Sequence, residues 1–496
     1  MTAQVKRVVI AGGGTAGWMT AAAITKLMGK NLDVVLVESD QIGTVGVGEA
    51  TIPTLHLFHR LLGLKEQDVM AATNATFKLG INFENWRDVG KDYLHSFGFL
   101  GKDCWACGFA HFWNKGQKLG IVKPIGDYCT EHLAARNGRF AVLPNQDQNH
   151  AYHMDATLYA QFLRKMAESL GLKRIEGKIA QVLQHDNGNI KALALENGEM
   201  VEGDLFIDCT GFRALLIEQT LNTGFEDWSH YLPCDSAIAV QTRSVGEPVA
   251  YTRSIAHQSG WQWRIPLQTR TGNGLVYCSK FLSDADATEL LMSNIEGEPL
   301  NQPRVIKFKT GTRRKHWNKN CVAIGLSSGF LEPLESTSIH LIQRSIIRLL
   351  QQFPSTGINE SDINEFNQQT LLEMDYVRDF IILHYKVTER KDSRFWRHCK
   401  NMEIPQSLAH RIELFKDSGK VYKQDSDLFG VSSWVQVMLG QGLTPNSYHP
   451  IVDMMEDEEL NAFLENIRGN VKRKVDALPA HFDFVKHYCP SKVALD

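Results

Sequence analysis

Residues 5–38 read VKRVVIAGGGTAGWMTAAAITKLMGKNLDVVLVE, and this stretch decides the class of fold. The β-branched apolar run at residues 5–11 predicts a buried strand, and residues 18–27 predict a helix. Asp33–Glu38 predicts a second strand. A strand, a helix and a second strand in so short a stretch form one βαβ unit, which is typical of α/β proteins with a parallel sheet.

The turn between the first strand and the helix has the composition of a phosphate-binding loop. Residues 12–17, GGGTAG, satisfy the pattern G-x-G-x-x-G in the required context. The first glycine permits a tight turn, the second lets the backbone approach a pyrophosphate, and the third lets the helix pack closely on the strand. The helix N-terminus adds N–H groups and a positive dipole end. An adenine dinucleotide is therefore expected to contact Gly12, Gly14, Thr15, Ala16 and Gly17.

Glu38 ends the second strand, 21 residues after Gly17. A carboxylate at this position accepts hydrogen bonds from the ribose hydroxyls of the dinucleotide and repels a 2′-phosphate. The sequence therefore favours FAD or NAD over NADP.

Two other segments are candidates for the same ligand. Residues 43–51, GTVGVGEAT, are rich in glycine and precede a predicted helix, so Gly48 and Glu49 are expected near a flat or phosphate-bearing group. Asp208 follows a predicted strand at residues 204–207, and open α/β sheets bind their ligands at such strand ends. A simple loop has the same appearance at both places.

Composition excludes several classes of partner. The 496 residues include 53 Lys plus Arg and 56 Asp plus Glu, and this balance favours neither nucleic acid nor an anionic membrane. The first residues lack the pattern of a signal peptide and no run of eighteen apolar residues occurs, so we expect a cytoplasmic protein that binds a small molecule. The nine cysteines indicate reduced thiols, and the lone C-x-x-C at residues 104–107 is interpreted as structural, so no metal site is predicted.

Periodicity indicates an organisation in two regions. An FAD-binding region at residues 1–350 is expected to contain an inserted antiparallel sheet, and residues 351–496 are expected to form a mainly helical substrate region. The predicted helices are residues 151–170, 337–352 and 363–385. The predicted strands lie within residues 174–207, 236–281, 304–309 and 321–325, with turns at 186–188 and 196–198.

Six segments carry a resemblance to a known family. They are GGGTAGW at 12–18, GVGEATIP at 46–53, TFKLGI at 76–81, DCTGFRALL at 208–216, WQWRIP at 261–266 and EPLESTSIH at 332–340. In these segments the chain resembles the flavin-dependent halogenases of the tryptophan halogenase type. The resemblance implies a Rossmann-like FAD-binding core of the flavin monooxygenase type, with an added β-sheet and a mainly helical C-terminal substrate region.

The resemblance also implies a mechanism divided between two sites. Reduced FAD, delivered by a separate flavin reductase, reacts with oxygen to form a hydroperoxide, a chloride or bromide ion attacks it, and hypohalous acid diffuses to a separate aromatic substrate. Lys78 matches the family's essential lysine and would either donate a hydrogen bond to hypohalous acid or form a haloamine. Spacing alone would make Lys78 a snorkelling surface residue. Glu335 matches the catalytic glutamate that accepts the ring proton.

Other matched residues are assigned to the halide and the cofactor. Thr337 and Ser338 correspond to the backbone N–H pair that binds halide, at the start of a helix, and Ile339 is expected at the cofactor. Many relatives have glycine at the position of Ser338. The motif residues Trp261, Trp263, Ile265 and Pro266 imply a barrier between substrate and flavin, and the two tryptophans are expected on one face of a strand.

His95, Phe97 and Trp434 are the expected substrate contacts, the first two because they match the family's H-x-F-G segment that stacks on indole. The chain departs from tryptophan halogenases between Asp427 and Gly442: they carry a longer, Tyr- and Trp-rich lid there, whereas this chain has only residues 428–435, LFGVSSWV. We therefore expect an open site that prefers indole or another electron-rich aromatic to free tryptophan.

A homodimer is compatible with this interpretation. The alternative is a flavin-dependent aromatic hydroxylase, which would usually carry a Gly-Asp pair where this chain has Leu326-Ser327.

Overall fold

The predicted βαβ unit is present in the computed structural model, which describes residues 4–43, 48–143 and 149–493. In chain order, the strands are β1 Arg7–Ala11, β2 Asp33–Glu38, β3 Gly48–Ala50, β4 Thr76–Lys78, β5 Gly80–Glu84, β6 Asp92–Ser96, β7 Ala151–Asp155, β8 Lys173–Glu176, β9 Ile179–Gln184, β10 Ile190–Leu195, β11 Met200–Glu202, β12 Leu205–Asp208, β13 Phe225–Asp227, β14 Ser236–Arg243, β15 Thr252–His257, β16 Gly260–Pro266, β17 Arg270–Tyr277, β18 Arg304–Lys307, β19 Gly311–Arg313, β20 Trp317–Asn318, β21 Cys321–Ala323 and β22 Gly329–Phe330.

In chain order, the helices are α1 Thr15–Met28, α2 Leu55–Leu62, α3 Glu66–Ala72, α4 Phe109–Leu119, α5 Thr130–Arg136, α6 Ala156–Ser169, α7 Asp284–Asn294, α8 Ser338–Gln351, α9 Glu360–Lys386, α10 Arg394–Asn401, α11 Gln406–Ser418, α12 Val431–Gly440, α13 Asp457–Asp476 and α14 His481–Tyr488. Within the described ranges, no helix is both long and apolar enough to cross a bilayer.

A six-stranded sheet in the order β20-β21-β12-β1-β2-β8 forms the dinucleotide-binding core. Strand β1 pairs in parallel with β2 and β12, and this places the carboxyl ends of all three strands at one edge. Apolar side chains of β1 and β2 are buried on both faces, because helices α1, α6 and α8 cover one face and strands β9–β11 cover the other. The predicted α/β class and Rossmann-like core are confirmed.

The added sheet is also present, in the order β18-β14-β17-β16-β15-β5-β6. Its neighbouring strands are antiparallel except for the pair of β15 and β5. One hydrophobic cluster joins this sheet to the C-terminal helices, since Trp261 of β16 packs in the same buried group as Phe380 of α9 and Trp434 of α12. The helical region therefore lies directly against the inserted sheet.

Two local predictions need correction. Residues 151–155 are not helical, because β7 pairs with β3 and β4 and the carboxylate of Asp155 then caps α6 by accepting hydrogen bonds from two backbone N–H groups. Within 174–207, only β9, β10 and β11 form antiparallel sheet, whereas β8 and β12 belong to the parallel core.

Cys104 and Cys107 form a small backbone bridge before α4, with N···O distances of 3.0 and 2.9 Å.

Candidate active site

The glycine turn after β1 opens onto a cavity of about 380 Å³. Gly12 has φ +109°, and a Cβ there would lie 2.3 Å from the carbonyl oxygen of Cys209. A Cβ at Gly17 would lie 1.9 Å from the carbonyl oxygen of Gly12, whereas one at Gly14 would meet nothing within 4 Å. The first and third glycines are thus required by packing, and the middle one leaves space for a ligand to approach the backbone.

Glu38 lies against this turn. Arg174 Nε donates to its Oε1 at 2.6 Å, and its other oxygen lies so close to Gly13 that a Cβ there would collide with it at 1.4 Å. The carboxylate is therefore held at the mouth of the turn, where the ribose of a bound dinucleotide would sit. These features fit FAD, because the glycine backbone, the N-terminus of α1 and the carboxylate all border one cavity.

Most of the predicted cofactor and motif residues line this cavity. They are Gly12, Gly14, Thr15, Ala16, Glu38, Gly48, Glu49, Trp261, Trp263, Ile265, Ser338 and Ile339. Residues 44–47 of the second glycine-rich segment lie outside the described residues. Asp208 holds the neighbouring loop instead: its Oδ1 accepts from Thr210 N at 2.9 Å, and its Oδ2 accepts from the backbone N–H groups of Leu216 and Ile217 at 2.9 and 2.8 Å.

The two tryptophans of β16 lie on the same face of the strand, as their spacing predicts. Their ring centroids are 6.1 Å apart, and both rings line the cavity. Trp261 Nε1 donates to Glu332 Oε2 at 3.0 Å, and the hydroxyl of Tyr385 donates to the same oxygen at 2.5 Å. Glu332 is fully buried, and burial raises its pKa to about 7. Through the carboxylate of Glu332, Trp261 is therefore connected to Tyr385 of helix α9.

Lys78, at the end of β4, is completely buried. Its Nζ donates to the carbonyl oxygen of Thr51 at 3.0 Å and to Ser336 Oγ at 2.7 Å, and it lies 5.1 Å from the centre of the Phe97 ring. Burial lowers the pKa of Lys78 to about 7, although the carboxylate of Glu335 acts in the opposite direction. The amine is thus fixed in place and changes protonation near neutral pH.

Glu335 is buried between two histidines. His95 Nδ1 lies 3.0 and 2.9 Å from the two carboxylate oxygens, and His384 Nε2 of α9 lies 2.9 Å from Oε1. Burial alone would raise the pKa of Glu335, but the charge of His95 and hydrogen bonds from His384 and His95 outweigh it and lower that pKa. The carboxylate is therefore held in its ionised form, ready to accept a proton.

Comparison with known proteins shows the family of the chain. The sequence profile of the tryptophan halogenase family matches residues 7–457. The chain belongs to this family. It is similar to the tryptophan 6-halogenase SttH of Streptomyces toxytricini, with 34% identity over 96% of this chain and 97% of SttH. The tryptophan 7-halogenase RebH of Lentzea aerocolonigenes is 32% identical over 98% of this chain and 99% of RebH.

Solved structures show the same relationship. Xcc4156, a flavin-dependent halogenase from Xanthomonas campestris, superposes with a TM-score of 0.98 at 56% identity, covering 99% of this chain and 100% of Xcc4156. BrvH, a flavin-dependent halogenase from Brevundimonas sp. BAL3, superposes with a TM-score of 0.94 at 44% identity, covering 98% of this chain and 100% of BrvH. The protein is a flavin-dependent halogenase, an oxidoreductase that acts on an aromatic substrate with FAD supplied in reduced form by a separate reductase.

In this halogenase the predicted substrate contacts lie close together but differ in their roles. Phe97 is half-buried beneath Lys78, whereas the ring of His95 is committed to Glu335. Trp434 is buried in α12, with its ring 4.8 Å from that of Phe380 and 4.6 Å from the guanidinium of Arg411. His95 therefore orients the carboxylate, in addition to its expected place beside the substrate.

The predicted halide residues begin α8. Thr337 precedes the helix and Ser338 is its first residue, so their N–H groups have no acceptor inside the helix and point out of its N-terminus. Ser336 adopts a left-handed conformation with φ +59°, which turns its hydroxyl toward Lys78. Within four residues, the segment thus contains Glu335, the hydroxyl that accepts a hydrogen bond from Lys78, and the two residues predicted to bind halide.

Three residues of the candidate site were not predicted from the sequence. His384 contacts Glu335 directly, and Phe380 and Phe429 stack with centroids 3.8 Å apart beside Trp434. The available signal was weak: Phe380 and His384 are four apart on the predicted long helix and so share a face. Nothing in the local sequence connects that face to a glutamate 49 residues earlier.

The orientation of the His384 ring is set by a hydrogen bond within its own helix. Its Nδ1 donates to the carbonyl oxygen of Phe380 at 2.8 Å, because a carbonyl only accepts. Its Nε2 then faces Glu335 Oε1 at 2.9 Å. The surroundings lower the pKa of Glu335, so its carboxylate is held ionised beside that nitrogen.

Proposed function

We propose that this halogenase transfers chlorine or bromine from hypohalous acid, held at Lys78, to an indole-type aromatic ring, with Glu335 accepting the ring proton. The position of Lys78 carries this proposal. Its amine donates a hydrogen bond to Ser336, which lines the cofactor cavity, and also lies 5.1 Å from the centre of the Phe97 ring. A fully buried amine between the cofactor cavity and a predicted substrate contact is suited to receive an oxidant from the first and present it beside the second.

The residues that line the cavity support the proposed binding of FAD and halide. When bound, reduced FAD supplies the electrons that convert oxygen and halide into hypohalous acid. The glycine turn and α1 would hold its pyrophosphate, and Glu38 would hold its ribose. Thr337 and Ser338 would bind the halide through backbone N–H groups, so the side chain of Ser338 affects the size of the anion pocket rather than its donors.

Two protein groups, Lys78 and Glu335, give and accept the protons of the transfer step. The halogen–oxygen bond of hypohalous acid breaks as a carbon–halogen bond forms, and the departing hydroxide takes a proton from the ammonium of Lys78 to become water. The ring carbon then loses its proton to Glu335, which restores aromaticity. In the haloamine alternative, the lone pair of neutral Lys78 attacks the halogen, the halogen–oxygen bond breaks, and the departing hydroxide takes a proton from the same nitrogen and leaves as water. The nitrogen recovers a proton, in balance with the one lost by the ring, when it passes the halogen to the ring carbon. Lys78 Nζ uses two of its hydrogens to donate to Thr51 and Ser336. The ammonium therefore keeps one hydrogen for hypohalous acid, and the neutral amine keeps its lone pair for the halogen.

Indole is proposed as a better substrate than free tryptophan. The wall formed by Phe380, Phe429 and Trp434 is aromatic and apolar, and it suits a ring without an amino-acid tail. The chain is also only 33% identical to the tryptophan 6-halogenase SttH in the structural comparison, against 56% to Xcc4156, whose description as a flavin-dependent halogenase names no substrate. We further propose a cytoplasmic enzyme, a homodimeric assembly, and a division near residue 350 between the FAD-binding and substrate regions.

The decisive experiment supplies the protein with a flavin reductase, FAD, NADH and either chloride or bromide, together with indole or tryptophan. Halogenated indole, dependent on halide, is the expected product, with much slower turnover of tryptophan. Lys78→Ala should abolish it, whereas Lys165→Ala, on the exposed face of α6, should retain it. Hydroxylated product without halide, full activity of Lys78→Ala, or efficient saturable turnover of tryptophan would each contradict a stated part of the proposal.

A further inference from the structure

Helix α12 is hydrogen-bonded through the side chain of Gln436 to strand β6, which carries His95 and ends one residue before Phe97. Strand β6 is the edge of the seven-stranded sheet, so its outer backbone groups lack a neighbouring strand. Gln436 replaces that strand at Ser96. The backbone N–H and the hydroxyl of Ser96 donate to Gln436 Oε1 at 3.0 and 2.8 Å, and Gln436 Nε2 donates to the carbonyl oxygen of Ser96 at 3.1 Å.

The residue after the same helix is attached to the other histidine. Gln441 is buried, and its Nε2 donates to the carbonyl oxygen of His384 at 2.6 Å. Between the two glutamines, Gly440 packs so closely on the ring of Tyr93 that a Cβ would approach it to 2.5 Å. The end of α12 therefore has little freedom to move independently of β6 and α9.

Trp434, part of the aromatic wall, lies on this helix two residues before Gln436. A ring that binds against Trp434 acts on a rigid element that holds the backbone at Ser96, next to His95, and the backbone of His384. These two histidines are the groups that orient the carboxylate of Glu335. The aromatic wall and the proton acceptor are thus joined by two hydrogen-bonded side chains.

We propose that Gln436 and Gln441 are positioning residues that couple occupation of the aromatic site to the orientation of Glu335. The inference rests on the proposed function, since it assigns Glu335 the role of proton acceptor. Loss of either amide would leave the oxidant supply intact, because the cofactor cavity lies on other elements, but would misplace the carboxylate relative to the bound ring. A displacement of about 1 Å is sufficient to cost roughly 100-fold in rate.

The test compares Gln436→Met and Gln441→Met with the wild-type protein in two reactions. Halogenation of indole should fall about 10- to 100-fold in kcat. Halogenation of a small 1,3-diketone, which traps free hypohalous acid without the substrate site, should fall less than threefold. Gln441→Met combined with His384→Asn should be no worse than His384→Asn alone, because both changes act through one residue. Equal loss in both reactions, unchanged indole turnover, or additive effects in the double variant would overturn the coupling.

A measurement without turnover separates this inference from the proposed function. Protein labelled with ¹⁵N in its histidine rings is titrated with indole, and the ring signals of His95 and His384 are followed. In the wild-type protein indole should shift both sets of signals, and in Gln441→Met the response of His384 should be lost while that of His95 remains. Identical responses in the two proteins would overturn the coupling, whereas absence of any halogenated product in the wild-type reaction would overturn only the proposed function.

Discussion

Replacement of Lys78 by methionine removes a buried amine whose pKa has fallen from 10.5 to about 7 because of burial. One pKa unit corresponds to about 1.4 kcal/mol, so the charged form of Lys78 costs the native state roughly 5 kcal/mol relative to the unfolded chain. Methionine has a similar length and carries no charge. It gives up the hydrogen bonds to Thr51 and Ser336, which contribute about 1 kcal/mol each.

The sign of the pH dependence follows from proton binding. Between pH 7 and 10.5 the unfolded chain keeps the proton of Lys78 and the native state has lost it, so stability rises with pH. From pH 7 to pH 9 this group alone should add about 2 kcal/mol to the free energy of unfolding. The variant lacks this gain, so the stability of the wild-type protein minus that of Lys78→Met should increase by about 2 kcal/mol over the same interval.

Urea denaturation followed by tryptophan fluorescence at pH 7, 8 and 9 measures this difference, with midpoints converted through the m-value. Lys165→Met is the matched control, because it removes a lysine that is exposed on α6. Parallel stability curves for the wild-type protein and Lys78→Met would refute the reasoning, since they would mean that Lys78 keeps its proton in the native state up to the pH at which the unfolded chain loses it.

Three further predictions concern the carboxylate and the glycine turn. Glu335→Gln should slow indole halogenation by about 100- to 10,000-fold, measured as kcat, while diketone halogenation continues, because only the proton acceptor is lost. His384→Asn removes an influence that lowers the pKa of Glu335, so the acidic limb of the kcat–pH profile should move to higher pH, and an unmoved limb would exclude this role. Gly14→Val should retain the thermal midpoint but weaken FAD binding measured by flavin fluorescence, whereas Gly12→Val should lower the midpoint because its side chain meets backbone.

Local sequence was sufficient where the structure depends on local chemistry. The glycine turn, Glu38 and the long helix containing His384 could be predicted, because strand periodicity, turn geometry and helix periodicity each act within a few residues. Strand β7 was missed for the opposite reason. Its five residues become a strand through pairing with β3 and β4, more than 70 residues away, whereas the helix that follows gives the stronger periodic signal.

The chemistry of the site is less predictable than its residue types, because each charge depends on the others in space. Family resemblance identified Lys78 and Glu335, but their states follow from partners that no short motif contains. His384 uses one nitrogen for a carbonyl four residues earlier on its own helix and thereby directs its second nitrogen to Glu335. The charge of His95 and the hydrogen bonds of His384 and His95 outweigh burial and lower the pKa of the carboxylate, while burial lowers the pKa of Lys78. Near neutral pH both forms of Lys78 are present, and Glu335 is an anion beside His384. Only the protonated form of Lys78 can supply a proton to the departing hydroxide. The two protonation states of Lys78 therefore correspond to the two proposed modes of halogen transfer, and a kcat–pH profile that rises or falls through pH 7 decides between them.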